Sequence, residues 1–198
     1  MNGLLKLTRA IDALNLKVGK GLFWLVFAAV VISAANALVR KTFSMSSNAF
    51  LEVQWYLFAA VFLLGAGHVM LLNEHVRIDV VSQSLSRRTQ IWIDIIGLLV
   101  FVIPLSVYIM WLTVPLTWTA YQTGEMSTNA GGLIRWPSYL MMPLGFLLLG
   151  LQAVSEIIKR IAFLRGVGPD PQLAVQQRKD SDALADDLRR EAAAREQA

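Results

Sequence analysis

Few residues in this chain could do covalent or metal chemistry. It has two histidines and no cysteine, so disulfides, thiolate metal sites, redox dithiols and palmitoylation are excluded. His68 and His75 stand seven positions apart on one apolar run, which places them on one helix face about 10 Å apart along the axis. Ligands so arranged cannot grip one haem from opposite sides. There is no glycine-rich phosphate loop and no HExxH pair. Glu52, Asp94 and Glu156 lie at the ends of apolar runs, where a carboxylate still reaches water and makes a poor proton relay. A carrier marks its midplane with ionisable groups or paired broken helices, yet none of the 18 Lys and Arg residues falls within an apolar run. His68 alone is ionisable well inside one, beside Gly65, Ala66 and Gly67. A hydrogen bond across a close helix contact is the role expected of it there. The residues predict no enzyme, no cofactor or metal held by this chain, and no solute path through it.

The elements that hold these residues are hydrophobic. Of 198 residues, 56% are apolar and 16% charged, with a mean hydropathy of +0.53, whereas a soluble domain carries about 25% charged residues. A bilayer core needs roughly 20 apolar helical residues, and the runs at about 21–38, 55–72, 91–118 and 136–158 meet that demand. Backbone amides in hydrocarbon must be satisfied within their own segment, so each run is a helix. Trp24, Trp55, Trp92, Trp118 and Trp136 sit near the run ends, where an indole can keep its N–H among headgroups. The third run would reach about 42 Å and holds Pro104 and Pro115, which predicts tilt or a kink. In the fourth, Pro137 falls in the first turn at no cost and Pro143 should bend the helix.

Lys and Arg near the run ends set orientation. Lys6, Arg9, Lys17 and Lys20, then Arg77, Arg87 and Arg88, then Lys159, Arg160 and Arg165 flank one side; only Arg40, Lys41 and Arg135 flank the other. Both termini are therefore expected in the cytoplasm. Residues 1–20 place Leu4, Leu7, Ile11, Leu14 and Val18 on one helical arc and Lys6, Arg9, Lys17 and Lys20 on another, the pattern of an interfacial helix anchored by its cations. The pI near 9.6 thus reads as affinity for anionic headgroups rather than nucleic acid. Residues 21–33 also resemble a signal-peptide core, with Ala35-Asn36-Ala37 as a mimic of a cleavage site; the long patterned segment before them favours an uncleaved span. After Arg165, the run Gly166-Val167-Gly168-Pro169-Asp170-Pro171 breaks the helix as a linker, and 166–198 form a charged cytoplasmic tail, partly helical or disordered. The expectation is an all-α integral membrane protein: an amphipathic interfacial helix (1–20), a four-helix transmembrane domain (21–165) and a tail, N-in/C-in.

Two stretches resemble a known family. Glu52 and Trp55 open the second span, which leaves through Asn73-Glu74-His75-Val76-Arg77-Ile78-Asp79. Arg135-Trp136-Pro137-Ser138-Tyr139, followed by Pro143-Leu144-Gly145-Phe146, opens the fourth. Their order and spacing are similar to those of the small (DctQ-like) membrane subunit of tripartite ATP-independent periplasmic (TRAP) transporters, over roughly residues 1–165. The resemblance implies a non-catalytic subunit in the bacterial inner membrane that scaffolds a large transport subunit. It would help dock a periplasmic solute-binding protein, in sodium-coupled symport of an organic acid or similar solute, the sodium being handled by the large partner. His75, Arg77 and Asp79 would lie on the cytoplasmic side; Glu52, Trp55, Arg135, Trp136 and Pro137 would be candidates for contact with partners. The alternative reading is a membrane anchor for a redox or enzyme complex.

Overall fold

A computed structural model describes residues 2–43, 47–74 and 85–196. Helices dominate: α1 (Asn2–Phe43), α2 (Asn48–Leu71), α3 (Arg87–Thr123), α4 (Trp136–Leu164) and α5 (Pro171–Glu196). The first four are long and apolar enough to cross a membrane. Each outruns the apolar stretch that marked it, because a helix continues through the headgroup layer after hydrocarbon ends. The amphipathic segment 1–20 and the first span run on as the single helix α1; Gly19 and Gly21 are isolated and no proline interrupts them, so nothing breaks the hydrogen-bond ladder.

Helix α4 is the hub. It packs against α1, α2 and α3, and α2 also packs against α1. One third of its most apolar window is buried (33%), against 11% for α1 and α3. The bundle is packed with small and polar residues inside and large apolar ones outside. Ala29, Ala60, Ala120, Ala153, Thr113 and Thr117 are buried, whereas Phe23, Trp24, Phe62 and Trp111 are exposed. Lipid tails are as apolar as leucine, so helices gain nothing by hiding leucines from them; close backbone approach and hydrogen bonds drive association instead. Glycines mark those approaches. A Cβ on Gly145 would stand 2.6 Å from the Leu63 carbonyl oxygen of α2, and one on Gly67 would stand 2.3 Å from Asn15 Oδ1 of α1.

The same logic decides which way α1 faces. Its inward face carries Thr8, Ile11, Asn15 and Ala29, all buried. The apolar arc is split: Ile11 is buried and Val18 half-buried, whereas Leu4, Leu7 and Leu14 are about half exposed, at 52%, 49% and 44%. Lys6, Arg9, Lys17 and Lys20 are exposed as well.

In α3, the turn before Pro104 widens into a π segment, Leu98–Val102, and the Ile103 N–H reaches back to the Leu98 carbonyl. Proline has no N–H and its ring crowds the carbonyl four residues back; a π turn is one way a helix absorbs such an interruption. Pro137 sits in the first turn of α4, and Pro143 is buried inside that helix.

Candidate functional site

The polar groups gather at the two ends of the bundle. At the end where the chain termini lie, α4 presents Gln152, Ser155, Glu156, Lys159 and Arg160, spaced by three and four residues and so on one side of the helix. Gln152 and Ser155 are fully buried, and Glu156 and Arg160 are each 6% exposed. Asp12 of α1 enters this side: its Oδ1 accepts from Ser155 Oγ (2.9 Å), Gln152 Nε2 (3.0 Å) and Lys159 Nζ (3.2 Å), and its Oδ2 accepts from Lys159 Nζ (3.1 Å). One turn on, Asn15 donates to Gln152 Oε1 at 2.9 Å. Glu156 accepts from Gln152 at 3.2 Å and pairs with both Lys159 and Arg160. Arg160 Nε then reaches Asp94 Oδ2 of α3 at 3.2 Å. Three helices are thus joined by one run of alternating charges, Asp12, Lys159, Glu156, Arg160 and Asp94.

Glu156 is therefore not a carboxylate lying in reach of water, as its place at a span end suggested, and Lys159 and Arg160 do more than set topology. Two cations face three carboxylates. Such a set makes each helix depend on the others, because removing one member leaves its partner as a buried, uncompensated charge. The one hydroxyl in it, Ser155 Oγ, donates to Asp12, a carboxylate that Gln152 and Lys159 also hold. The sequence reading overlooked Asp12, although Thr8, Asp12, Asn15 and Gly19 recur at helical spacing and mark the inward face.

At the other end, one carboxylate organises a loop. Glu52, in the second turn of α2 and 6% exposed, receives the Leu133 N–H at 2.7 Å on Oε2 and Asn129 Nδ2 at 2.8 Å on Oε1, which Ser127 Oγ also approaches. The loop from Gly124 to Arg135 folds back on itself through Ser127 N–H to Leu133 O (2.8 Å) and Arg135 N–H to Glu125 O (2.9 Å). Gly124 and Gly131 adopt left-handed φ of 62° and 70°, the conformation in which a Cβ is penalised. Asn48 and Tyr56 of α2 donate to the loop carbonyls of Ala130 (3.0 Å) and Ile134 (3.2 Å). Arg135 pairs with Glu125 at 3.0 Å, and that hydrogen bond pushes the guanidinium above its ordinary pKa.

The residues singled out in the sequence are thus dispersed. Glu52 turns inward, while Trp55 on the same helix is 72% exposed. Arg135 is tied to the loop, Trp136 stacks edge-on against Tyr121 at 5.5 Å, and Pro137 opens α4. His75, Arg77 and Asp79 lie outside the described residues. His68 makes the expected close helix contact: its ring lies where a Cβ on Gly19 would be, 2.4 Å away. Its Nδ1, however, is buried without a hydrogen bond among the described residues.

Compared with known proteins, residues 22–163 match the family model described as "Tripartite ATP-independent periplasmic transporters, DctQ component". No curated protein and no solved structure matches the chain.

Proposed function

Since the matched region spans the whole bundle, the chain belongs to the DctQ component family of TRAP transporters, and we propose that it works as the scaffold on which the large transport subunit of such a transporter moves. As a family member it is a transporter component rather than an enzyme. The observation that carries the scaffold reading is the disposition of its charges. The cations and carboxylates of the seam are satisfied by one another between helices, whereas the outward surface is aliphatic and aromatic. A solute with a carboxylate would need a cation or a helix N-terminus facing its path; here Lys159 and Arg160 are committed to bracing.

In this reading the complex sits in the bacterial inner membrane with both termini of this chain in the cytoplasm. The exposed Lys6, Arg9, Lys17 and Lys20 lie toward cytoplasmic headgroups and anchor α1, their long stems snorkelling along its flank. The loop end faces the periplasm, where Trp55, Arg135 and Trp136 are candidates for contact with the large subunit or a solute-binding protein. His75, Arg77 and Asp79 belong to the cytoplasmic side. The family's transported solute is taken to be an organic acid or similar compound, imported with sodium that the large subunit binds.

Reconstitution tests this. Vesicles with this chain, the large subunit and the binding protein should accumulate solute under a sodium gradient, and vesicles lacking this chain should lose that uptake. Uptake by the large subunit and binding protein alone, at the full rate, would remove the scaffold from the mechanism.

A further inference from the structure

A second polar feature at the termini end is unexplained by bracing. Between the start of α1, the end of α2, the end of α4 and the root of α5 lies a cavity of about 410 Å³. Leu71 and Leu72 give it an apolar side, and Arg9, Asp12 and Lys159 line its polar side. Residues 167–169 and Pro171 close over it. This roof is not the loose linker that its composition suggested. Gly166 turns the chain at a φ of 71°, the Val167 N–H bonds the Ala162 carbonyl at 3.0 Å, and Arg87 of α3 clamps the Asp170 carboxylate, with Nε 2.7 Å from Oδ2. The Asp170 side chain is 11% exposed.

We propose that this cavity binds the phosphate-bearing headgroup of a phospholipid from the adjoining leaflet, cytoplasmic in the orientation proposed above. Three observations converge on that ligand. Lys159 is paired with two carboxylates and Arg87 with Asp170, but Arg9, although it lines the cavity, makes no hydrogen bond or ion pair among the described residues. A guanidinium offers a phosphodiester two parallel donors. The opposite wall is apolar, formed by Leu71 and Leu72, as the glycerol and upper acyl carbons of an amphiphile require. Finally, the cavity sits where the apolar parts of α2 and α4 end, which is headgroup depth.

The site is independent of whether the chain serves a transporter. Native mass spectrometry tests it on the detergent-purified full chain, stripped of lipid and titrated with phosphatidylethanolamine or with inorganic phosphate. One lipid should be retained per chain. Arg9→Gln should weaken retention roughly tenfold or more, the worth of a charged hydrogen-bond pair. Asp170→Asn, which frees the roof, should weaken it too, and Arg88→Gln, an exposed cation at the same end outside the cavity, should not. Tryptophan-fluorescence melting confirms that each variant is folded. Lipid retention by folded Arg9→Gln and Asp170→Asn equal to that of the unaltered chain would overturn the proposal. So would a phosphate adduct on a chain that retains no lipid, since the site would then serve a free anion.

Discussion

The two ends of the bundle solve the burial of charge in opposite ways. At the termini end, charge meets charge: Asp12, Lys159, Glu156, Arg160 and Asp94 alternate in sign across three helices. At the loop end, Glu52 is received by neutral donors, an amide N–H, a hydroxyl and an asparagine side chain. The first arrangement fixes rigid helices relative to one another, and every member depends on its neighbours. The second shapes a loop around a single acceptor, so its loss is felt locally. The scaffold proposed above would have use for both.

The sharpest way to break this contrast is to remove the cation shared by Glu156 and Asp94. Arg160→Met should destabilise the bundle by about 3–5 kcal/mol, the usual consequence of leaving a buried charge unpaired, visible as a large fall in melting temperature in detergent. Glu52→Gln keeps the shape and loses the charge, and should lower the melting temperature less than Arg160→Met does. Its signature should be local: faster amide exchange at Leu133 and around the loop, with α1 and α4 protected as before. If exchange rises along α1 instead, the two ends are not separate devices. Gly145→Ala, midway between them, forces a methyl against the Leu63 carbonyl and should cost about 1–3 kcal/mol through overpacking, with neither loop nor seam exchange singled out. Smallest of all, Gly124→Ala places a Cβ in the left-handed region and should cost about 1–2 kcal/mol, read as a modest shift in melting temperature.

How much of this was legible beforehand depends on which force wrote it. Hydrocarbon imposes long apolar runs, so the four spans could be read from composition alone, and the family's order of motifs around Arg135-Trp136-Pro137 agreed with the match over 22–163. The face of α1 could not be read by the rule for water-soluble helices. That rule sends the whole apolar arc inward, but only Ile11 of it is buried; Leu4, Leu7 and Leu14 stay about half exposed, and Thr8 and Asn15 pack beside Ile11 instead. The seam was hidden for another reason: Asp94, Glu156 and Arg160 each resemble ordinary charges at a span end, and their pairing depends on the register between helices, which no single helix encodes. Likewise, Gly166 to Pro171 has the composition of a flexible linker, and only the distant Arg87 shows why it is held.

The central claim is that the charges inside this chain brace it and carry nothing. The most direct measurement is sodium-driven solute uptake by the fully assembled transporter containing the triple variant Asp94→Asn, Glu156→Gln, Arg160→Gln, which leaves the Asp12–Lys159 pair balanced. Provided the complex is folded and assembled, uptake should stay within about twofold of the unaltered transporter, because only stability has been spent. A folded, fully assembled complex that no longer moves solute would contradict the account and make these carboxylates part of the ion path.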